Sequence, residues 1–165
     1  MTKQIPLTQG KVALVDDADY EWLSQWTWHY RQKERTGYAV RTSLRSEAFP
    51  RVEIRMHRAI MDAKDGEEVD HQDNNGLNNQ RANLRICTRA QNMGNQRLKV
   101  GSASGYKGVT WFKTTSRWRA SIMIQGRAKY LGYFHDKDEA ARAYNAAALE
   151  YFGEFARLND VDARA

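Results

Sequence analysis

Asp70 and His71 stand side by side. Eleven residues separate His71 from Asn83, and eight more separate Asn83 from Asn92. One carboxylate, one imidazole and two side-chain amides at that spacing suit metal-assisted hydrolysis of a phosphodiester. Asp70 offers a hard anionic oxygen and Asn92 a neutral carbonyl oxygen. Two such ligands leave most positions around a small divalent ion to waters and phosphate oxygens, as Mg²⁺ favours. His71 has an unperturbed pKa of about 6.5, so near neutral pH its ring accepts a proton from water. Asn83 has no acid–base chemistry, and its amide suits holding the loop or orienting the imidazole. Asn95 competes with Asn92 for the ligand role. Asn74, Asn75, Asn78 and Asn79 read as turn or loop formers, and His57 as a packed residue with phosphate contact as the rival role.

Two short strands and a helix must position these groups. Residues 68–71 read as a strand end, Asp73-Asn74-Asn75-Gly76 as a turn, and residues 84–87 as a second strand. Thr88 and Gln91 match a capping box, which puts Asn92 in the first turns of a helix. Upstream, residues 11–15 form an apolar run, and Asp19 is expected to cap a helical turn over Tyr20, Trp22 and Leu23. Trp26, Trp28 and Tyr30 alternate with period two. With strands over 38–41 and 52–56, residues 5–55 should form one small antiparallel sheet, followed by a short helix over 57–65.

The chain has 165 residues, with 26 Lys and Arg against 20 Asp and Glu and a net charge of +6. A basic balance favours a polyanionic partner. Residues 81–104 carry Arg81, Arg85, Arg89, Arg97 and Lys99 and no acid, whereas residues 62–73 carry six acids against Lys64 alone. Arg85, Arg89 and Arg97 therefore read as a strip that holds phosphates beside an acidic pocket. The single cysteine, Cys87, excludes an intrachain disulfide and a zinc site built on two or four cysteines, and reads as a small buried residue. No stretch approaches a membrane span and residues 1–10 lack the apolar run of a signal peptide, so a cytoplasmic setting is expected.

Composition changes after Gly101-Ser102-Ala103-Ser104-Gly105, a small polar linker. Residues 109–111, 118–124 and 130–134 read as three strands. In the middle one, Trp118, Ala120, Ile122 and Ile124 alternate with Arg119, Ser121 and Met123, as in a sheet covered on one side. Trp111 and Trp118 read as core. Asp136 and Glu139 form a helix N-cap signature. An alanine-rich helix follows, with Ala141, Tyr144, Ala148 and Tyr151 on one face and Gly153 as its stop.

The Asp70, His71, Asn83 and Asn92 spacing resembles the HNH endonuclease family, in the variant whose last motif position is Asn. Arg55-Met56-His57-Arg58 and Asn83-Leu84-Arg85-Ile86-Cys87-Thr88 extend the likeness to phage and intron-associated homing endonucleases, over residues 5–98. The resemblance implies a beta-beta-alpha metal motif with one Mg²⁺ or Mn²⁺ per active site, held by Asp70 and Asn92. His71 would activate water, and Asn83 would hold the loop and His71. Tyr106-Lys107-Gly108-Val109, Trp118-Arg119-Ala120-Ser121-Ile122, Tyr130-Leu131-Gly132-Tyr133-Phe134 and Phe155-Ala156-Arg157-Leu158-Asn159 resemble the plant ethylene-response-factor DNA-binding domain. That family lays a three-stranded sheet in the major groove, which implies DNA contacts by Lys107, Arg119 and Tyr130. Arg117, Arg127 and Lys129 are further basic candidates. Thr110, Phe112, Ser121 and Met123 stand where plant relatives often carry arginine or an acid, so guanine readout should be thinner here.

The expected protein is α+β. A nuclease module with an N-terminal β extension spans residues 1–98 and a linker spans 99–104. A three-stranded antiparallel sheet packed on one helix spans 105–159, with a tail over 160–165. It should hydrolyse double-stranded DNA as a monomer, without a small-molecule cofactor or a membrane, in a bacterial or phage-infected cell. Residues 1–100 should keep weak cutting by themselves. The alternative is a non-cleaving, sequence-specific DNA-binding regulator.

Overall fold

The computed structural model describes residues 1–33, 36–47, 50–96, 98 and 102–161. Arg97, residues 99–101 of the expected linker and residues 162–165 of the expected tail lie outside the described residues. The chain is α+β, its named strands pair antiparallel throughout, and it divides into two units, Met1–Arg89 and Ala90–Ala165.

The first unit opens with β1 (Thr2–Pro6) paired to β2 (Val12–Asp16), then helix α1 (Asp17–Leu23). Strands β3 (His29–Gln32), β4 (Gly37–Thr42) and β5 (Glu53–Arg55) form a second sheet. Helix α2 (Met56–Ile60) leads to a hairpin of β6 (Glu68–His71) and β7 (Leu84–Cys87). Helix α3 (Arg89–Asn95) begins directly after Thr88, and all of it but Arg89 belongs to the second unit.

Two sheets therefore stand where the periodicity suggested one. Of the alternating aromatics only Tyr30 lies on a strand. Trp28 is buried and its Nε1 donates to the Leu23 carbonyl at 2.9 Å, which ties the segment to the end of α1. Asp19 does not cap α1, which starts two residues earlier. Its buried carboxylate accepts from Trp22 Nε1 at 3.1 Å and from two Arg81 nitrogens at 2.8 Å each. Burial pushes that carboxyl up, but the hydrogen bonds from Arg81 and Trp22 outweigh it and hold the pKa below the usual carboxylate value. Ile5, Val15, Leu23, Trp28, Met56, Ile60, Val69 and Leu84 make the core, so β6 and β7 share one apolar interior with β1, β2 and α1.

In the second unit β8 (Val109–Phe112), β9 (Arg117–Ile124) and β10 (Arg127–Phe134) form a sheet with β9 central, packed on α4 (Lys137–Phe152). The Asp136 carboxylate accepts from the Asp138 and Glu139 amides, and the helix stops before Gly153, as the cap and stop residues require. Its buried row is Tyr144, Ala148 and Phe152, an i, i+4 series. Tyr151, expected on that face, lies beside it and meets Lys129. Alanines at 140, 141, 147 and 148 let α4 approach the sheet closely.

Gly108 occupies a positive φ of 77°, and a Cβ there would collide with the Tyr144 ring and come within 2.6 Å of the Ser121 carbonyl oxygen. Both strain and overlap oppose any side chain. Gly108→Ala should cost the second unit about 2 kcal/mol or more, read as a lower midpoint in thermal unfolding of the full chain. An unchanged midpoint would contradict this packing.

Candidate active site

Asp70 and His71 end β6, and their partners across the hairpin are Arg85 and Leu84. Neighbours on a strand point to opposite faces, yet both side chains are buried, at 5% and 6% exposure. A buried carboxylate needs a charge partner. Arg85 supplies it, directly across the ladder, with Nε at 3.0 Å and Nη2 at 2.9 Å from Asp70 Oδ2. Arg85, expected on the phosphate strip, is thus engaged inside the hairpin, and Arg81 is likewise committed to Asp19. Arg89 is exposed.

The loop between the strands is an asparagine-rich scaffold centred on Asp73. The Asp73 carboxylate accepts from the Asn75 amide at 2.8 Å, Asn78 Nδ2 at 2.8 Å and Asn83 Nδ2 at 3.0 Å. Burial raises its pKa, but these bonds together hold it below the usual carboxylate value. Asn83 also accepts from the Asp73 amide at 3.1 Å and donates to the Asn78 carbonyl at 2.8 Å. Those bonds clamp the two ends of the loop. The loop is laced to β2 as well, with Leu14 N donating to Leu77 O at 2.8 Å and Asn79 N donating to Leu14 O at 2.7 Å.

That lacing delivers Asn79, which is fully buried, to the imidazole. Asn79 Oδ1 lies 3.2 Å from His71 Nε2, and Asn79 Nδ2 donates to the Leu77 carbonyl at 3.3 Å. With its NH₂ turned to a carbonyl, the amide presents an acceptor to the ring. That acceptor favours the tautomer of His71 with its proton on Nε2. Sequence reasoning grouped Asn79 with the turn formers. The only signal was its place in a loop with more side-chain amides than turns require.

Two aromatic residues pack around His71. The His57 ring lies 4.9 Å away, edge-on, and Tyr38 lies 5.9 Å from His71 and 5.3 Å from His57. Burial pushes the His57 pKa down to about 2, helped by the charges of His71, Arg55 and Arg58. Burial also lowers that of His71, against the Asn79 hydrogen bond and the Asp73 and Asp70 charges. Burial thus favours the neutral form of both rings. His57 is buried, and its Nδ1 has no hydrogen-bond partner among the described residues. Cys87 is buried and burial pushes its thiol up to about 11, so it is unreactive.

Asp70, His71, Asn83 and Arg85 thus share one hairpin. Asn92 and Asn95 lie on the part of α3 that belongs to the second unit, Asn92 half-buried and Asn95 buried. In the three-stranded sheet the register sorts the basic candidates. Arg117 and Arg119 lie opposite Phe112 and Thr110, on the face away from α4, with Tyr130 opposite Ser121. The Arg119 guanidinium sits 5.5 Å from the Phe112 ring, and Phe112–Tyr133 and Tyr130–Tyr133 pairs at 5.3 and 5.2 Å continue the row. Arg127 and Lys129 lie opposite Ile124 and Ile122, on the helix side, and Lys129 Nζ reaches Tyr151 of α4. Trp111 is 43% exposed at the strand end, edge-on to Trp118 rather than enclosed. Lys107 Nζ donates to the Gly94 carbonyl at 2.5 Å.

Comparison with known proteins gives this geometry a family. An HNH endonuclease family model matches residues 56–94, a span that begins at α2 and contains Asp70, His71, Asn83 and Asn92. An uncharacterized HNH endonuclease of Acanthamoeba polyphaga mimivirus is 30% identical over 156 residues, which cover 93% of this chain and 78% of that protein. Protein 3.8 of Escherichia phage T7 is 30% identical over 95 residues, covering 56% of this chain and 76% of that protein. An AP2-like ethylene-responsive transcription factor of Arabidopsis thaliana is 42% identical over 59 residues, 36% of this chain but only 12% of the plant protein. No solved structure matches. The chain belongs to the HNH endonuclease family and joins its nuclease module to an ethylene-response-factor-like module.

Proposed function

We propose that this HNH endonuclease cuts double-stranded DNA by metal-dependent hydrolysis, with His71 as general base and one divalent ion, in the service of a phage or other mobile element. The observation that carries this reading is His71: buried, neutral, with Nε2 held by Asn79 and beside a buried carboxylate. A neutral imidazole with a fixed tautomer is ready to take a proton. The virus and phage relatives support the mobile-element setting and, with it, a cytoplasmic site of action in the host cell.

The donors suit a small hard cation. Asp70 would supply a carboxylate oxygen and Asn92 an amide oxygen, leaving the remaining positions to water and phosphate. Among the described residues no three His, Cys, Asp or Glu side chains gather where they could hold a metal. One carboxylate oxygen and one amide oxygen suit Mg²⁺ or Mn²⁺, whereas structural zinc takes Cys and His ligands. When bound, the ion would stabilise charge on the phosphate and on the departing 3′ oxygen.

The protein's own part is as follows. His71 Nδ1 removes a proton from the attacking water while the Nε2 proton stays on the ring, donated to Asn79 Oδ1. The imidazolium that forms is offset by the Asp70 and Asp73 carboxylates. Asn83 acts through the loop, holding Asp73 and the Asn78 carbonyl so that Asn79 stays in place. Arg85 holds Asp70, and Arg89 and Arg97 are candidates for phosphate contact. The second unit would grip DNA with the sheet face away from α4, through Arg117, Arg119 and Tyr130. Phosphate contacts of this kind position the duplex.

Plasmid nicking with Mg²⁺ tests the reading. His71→Ala should lower the rate by about 10²–10⁴-fold, Asp70→Ala should abolish nicking, and excess EDTA should stop the wild type. Duplex affinity should stay near wild type in both variants. Asn79→Leu should cost about tenfold or more, as loss of an orienting partner does. Undiminished nicking in EDTA or by His71→Ala would sink the mechanism.

The buried neutral His57 makes stability pH-dependent. Its folded pKa, about 2, lies below the ordinary 6.5, so the unfolded chain binds the proton first as pH falls. Stability is intact above about pH 6.5 and should fall by up to about 1.4 kcal/mol per pH unit below it. His57→Phe, which keeps a ring in place, should show a shallower slope in urea unfolding between about pH 7 and about pH 4. Equal slopes would contradict a buried neutral His57.

The two faces of the sheet should separate in DNA binding. Arg119→Ala should weaken duplex binding and reduce the slope of log Kd against log salt by about one. Lys129→Ala, whose ammonium faces α4, should leave that slope unchanged. The reverse pattern would place the DNA on the helix side.

A further inference from the structure

Lys107 belongs to the Tyr106-Lys107-Gly108-Val109 word whose resemblance suggests DNA contact, yet its ammonium is engaged inside the second unit. Lys107 Nζ lies 2.5 Å from the Gly94 carbonyl and 3.5 Å from that of Met93, the carbonyls at the C-terminal end of α3. A cation there adds a donor to the carbonyls of the last turn, where Met93 O also accepts from the Gln96 amide at 3.4 Å, and complements the negative end of the helix dipole. The Arg157 amide donates to the same Gly94 oxygen at 3.2 Å.

The lysine is held in place from the other side. Asn159 Oδ1 accepts from the Lys107 amide at 2.7 Å, and Asn159 Nδ2 donates to the Lys107 carbonyl at 3.0 Å. Asn159 is bracketed in turn by Asn145 of α4, through bonds of 2.8 and 2.7 Å. Side-chain amides that grip both backbone groups of one residue specify its position. Gly94 completes the seat: it is buried, and a Cβ there would come within 2.7 Å of the Phe152 ring. The C-terminal end of α3 is therefore docked on α4 by contact and by charge, two residues after Asn92.

We propose that Lys107 is a positioning residue for Asn92, acting through the α3 carbonyls, so that the DNA-binding unit sets the pose of the helix that carries a metal ligand. The inference rests on the reading of Asn92 as a ligand. It replaces the expectation that residues 1–100 cut by themselves, because a chain ending there keeps Asn92 but loses Lys107, Phe152, Asn145 and Asn159. It also removes Lys107 from the DNA-contacting set.

The test uses the full chain with Lys107→Met, Lys107→Arg and Asn92→Ala. Lys107→Met keeps the apolar stem and removes the donor. Amide hydrogen exchange across residues 90–95 should accelerate by about tenfold, with the strands of the sheet still protected. Single-turnover nicking at saturating duplex should fall by about tenfold, with more Mg²⁺ needed for half-maximal rate. Duplex affinity and its salt slope should stay within about twofold of wild type. Lys107→Arg, which can still donate to the carbonyls, should restore exchange and rate. Wild-type exchange in Lys107→Met overturns the proposal. So does a loss confined to duplex affinity with a shallower salt slope, which would make Lys107 a phosphate contact. Wild-type nicking by Asn92→Ala overturns it through its premise, and is told apart because the exchange result is then unaffected. Should Lys107→Met unfold the second unit, Lys107→Gln carries the same expectations at smaller size.

Discussion

Two polar side chains adjacent in sequence are buried at the end of a four-residue strand, and neither can be left without a partner. Removing one member of a buried ion pair costs about 3–5 kcal/mol, so Asp70 commits Arg85 across the ladder. The imidazole makes the second demand. It is met only if the loop after β6 folds back far enough to deliver Asn79. Most of the first unit serves that delivery. Asp73 and Asn83 close the loop, β2 binds its far side through Leu14, and Asp16 and Asp19 fasten residues 80 and 81 where the chain re-enters the hairpin. The β1–β2 pair and α1 thus act as the frame that lets a polar loop reach a buried ring.

Much of this was legible in the chain. The strands at 68–71 and 84–87 and the helix start after Thr88 follow from turn clusters and capping chemistry, and the structure has them at those residues. The Asp136 cap and the Gly153 stop on α4 were equally plain. These features are local, set by residues within a few positions of one another. What the sequence hid is non-local. Nothing within a few residues of Asp19 or Arg85 announces Arg81 or Asp70 as the partner. Two arginines of the basic strip are also counter-charges to buried acids, Arg81 to Asp19 and Arg85 to Asp70. Asn79 was hidden differently. Among several asparagines in one loop, composition favours turns, and only the three-dimensional path selects the one that meets a ring. Asp73, read as part of a turn, is the acceptor at the centre of the loop.

The boundary between the units is instructive for function. Small residues cluster near residue 100, and the chain divides into its two units after Arg89. The reason is physical: Gly94, Lys107 and the Arg157 amide give α3 its close packing and its C-terminal partners within the second unit. The resemblances of the sequence to two families remain separate in residue number, while α3 is shared between them. The sheet face away from α4 carries Arg117, Arg119 and Tyr130, whereas Lys129 has turned to α4.

The protonation of one ring decides whether this geometry is catalytic. ¹⁵N-resolved NMR of the imidazole of His71 in the intact chain near neutral pH reads it directly. A neutral ring with hydrogen on Nε2 and a bare Nδ1 is the predicted state, and replacing Asn79 with leucine should let the other tautomer appear. A ring protonated on Nδ1 alone, or an imidazolium at that pH, would contradict His71 as the base.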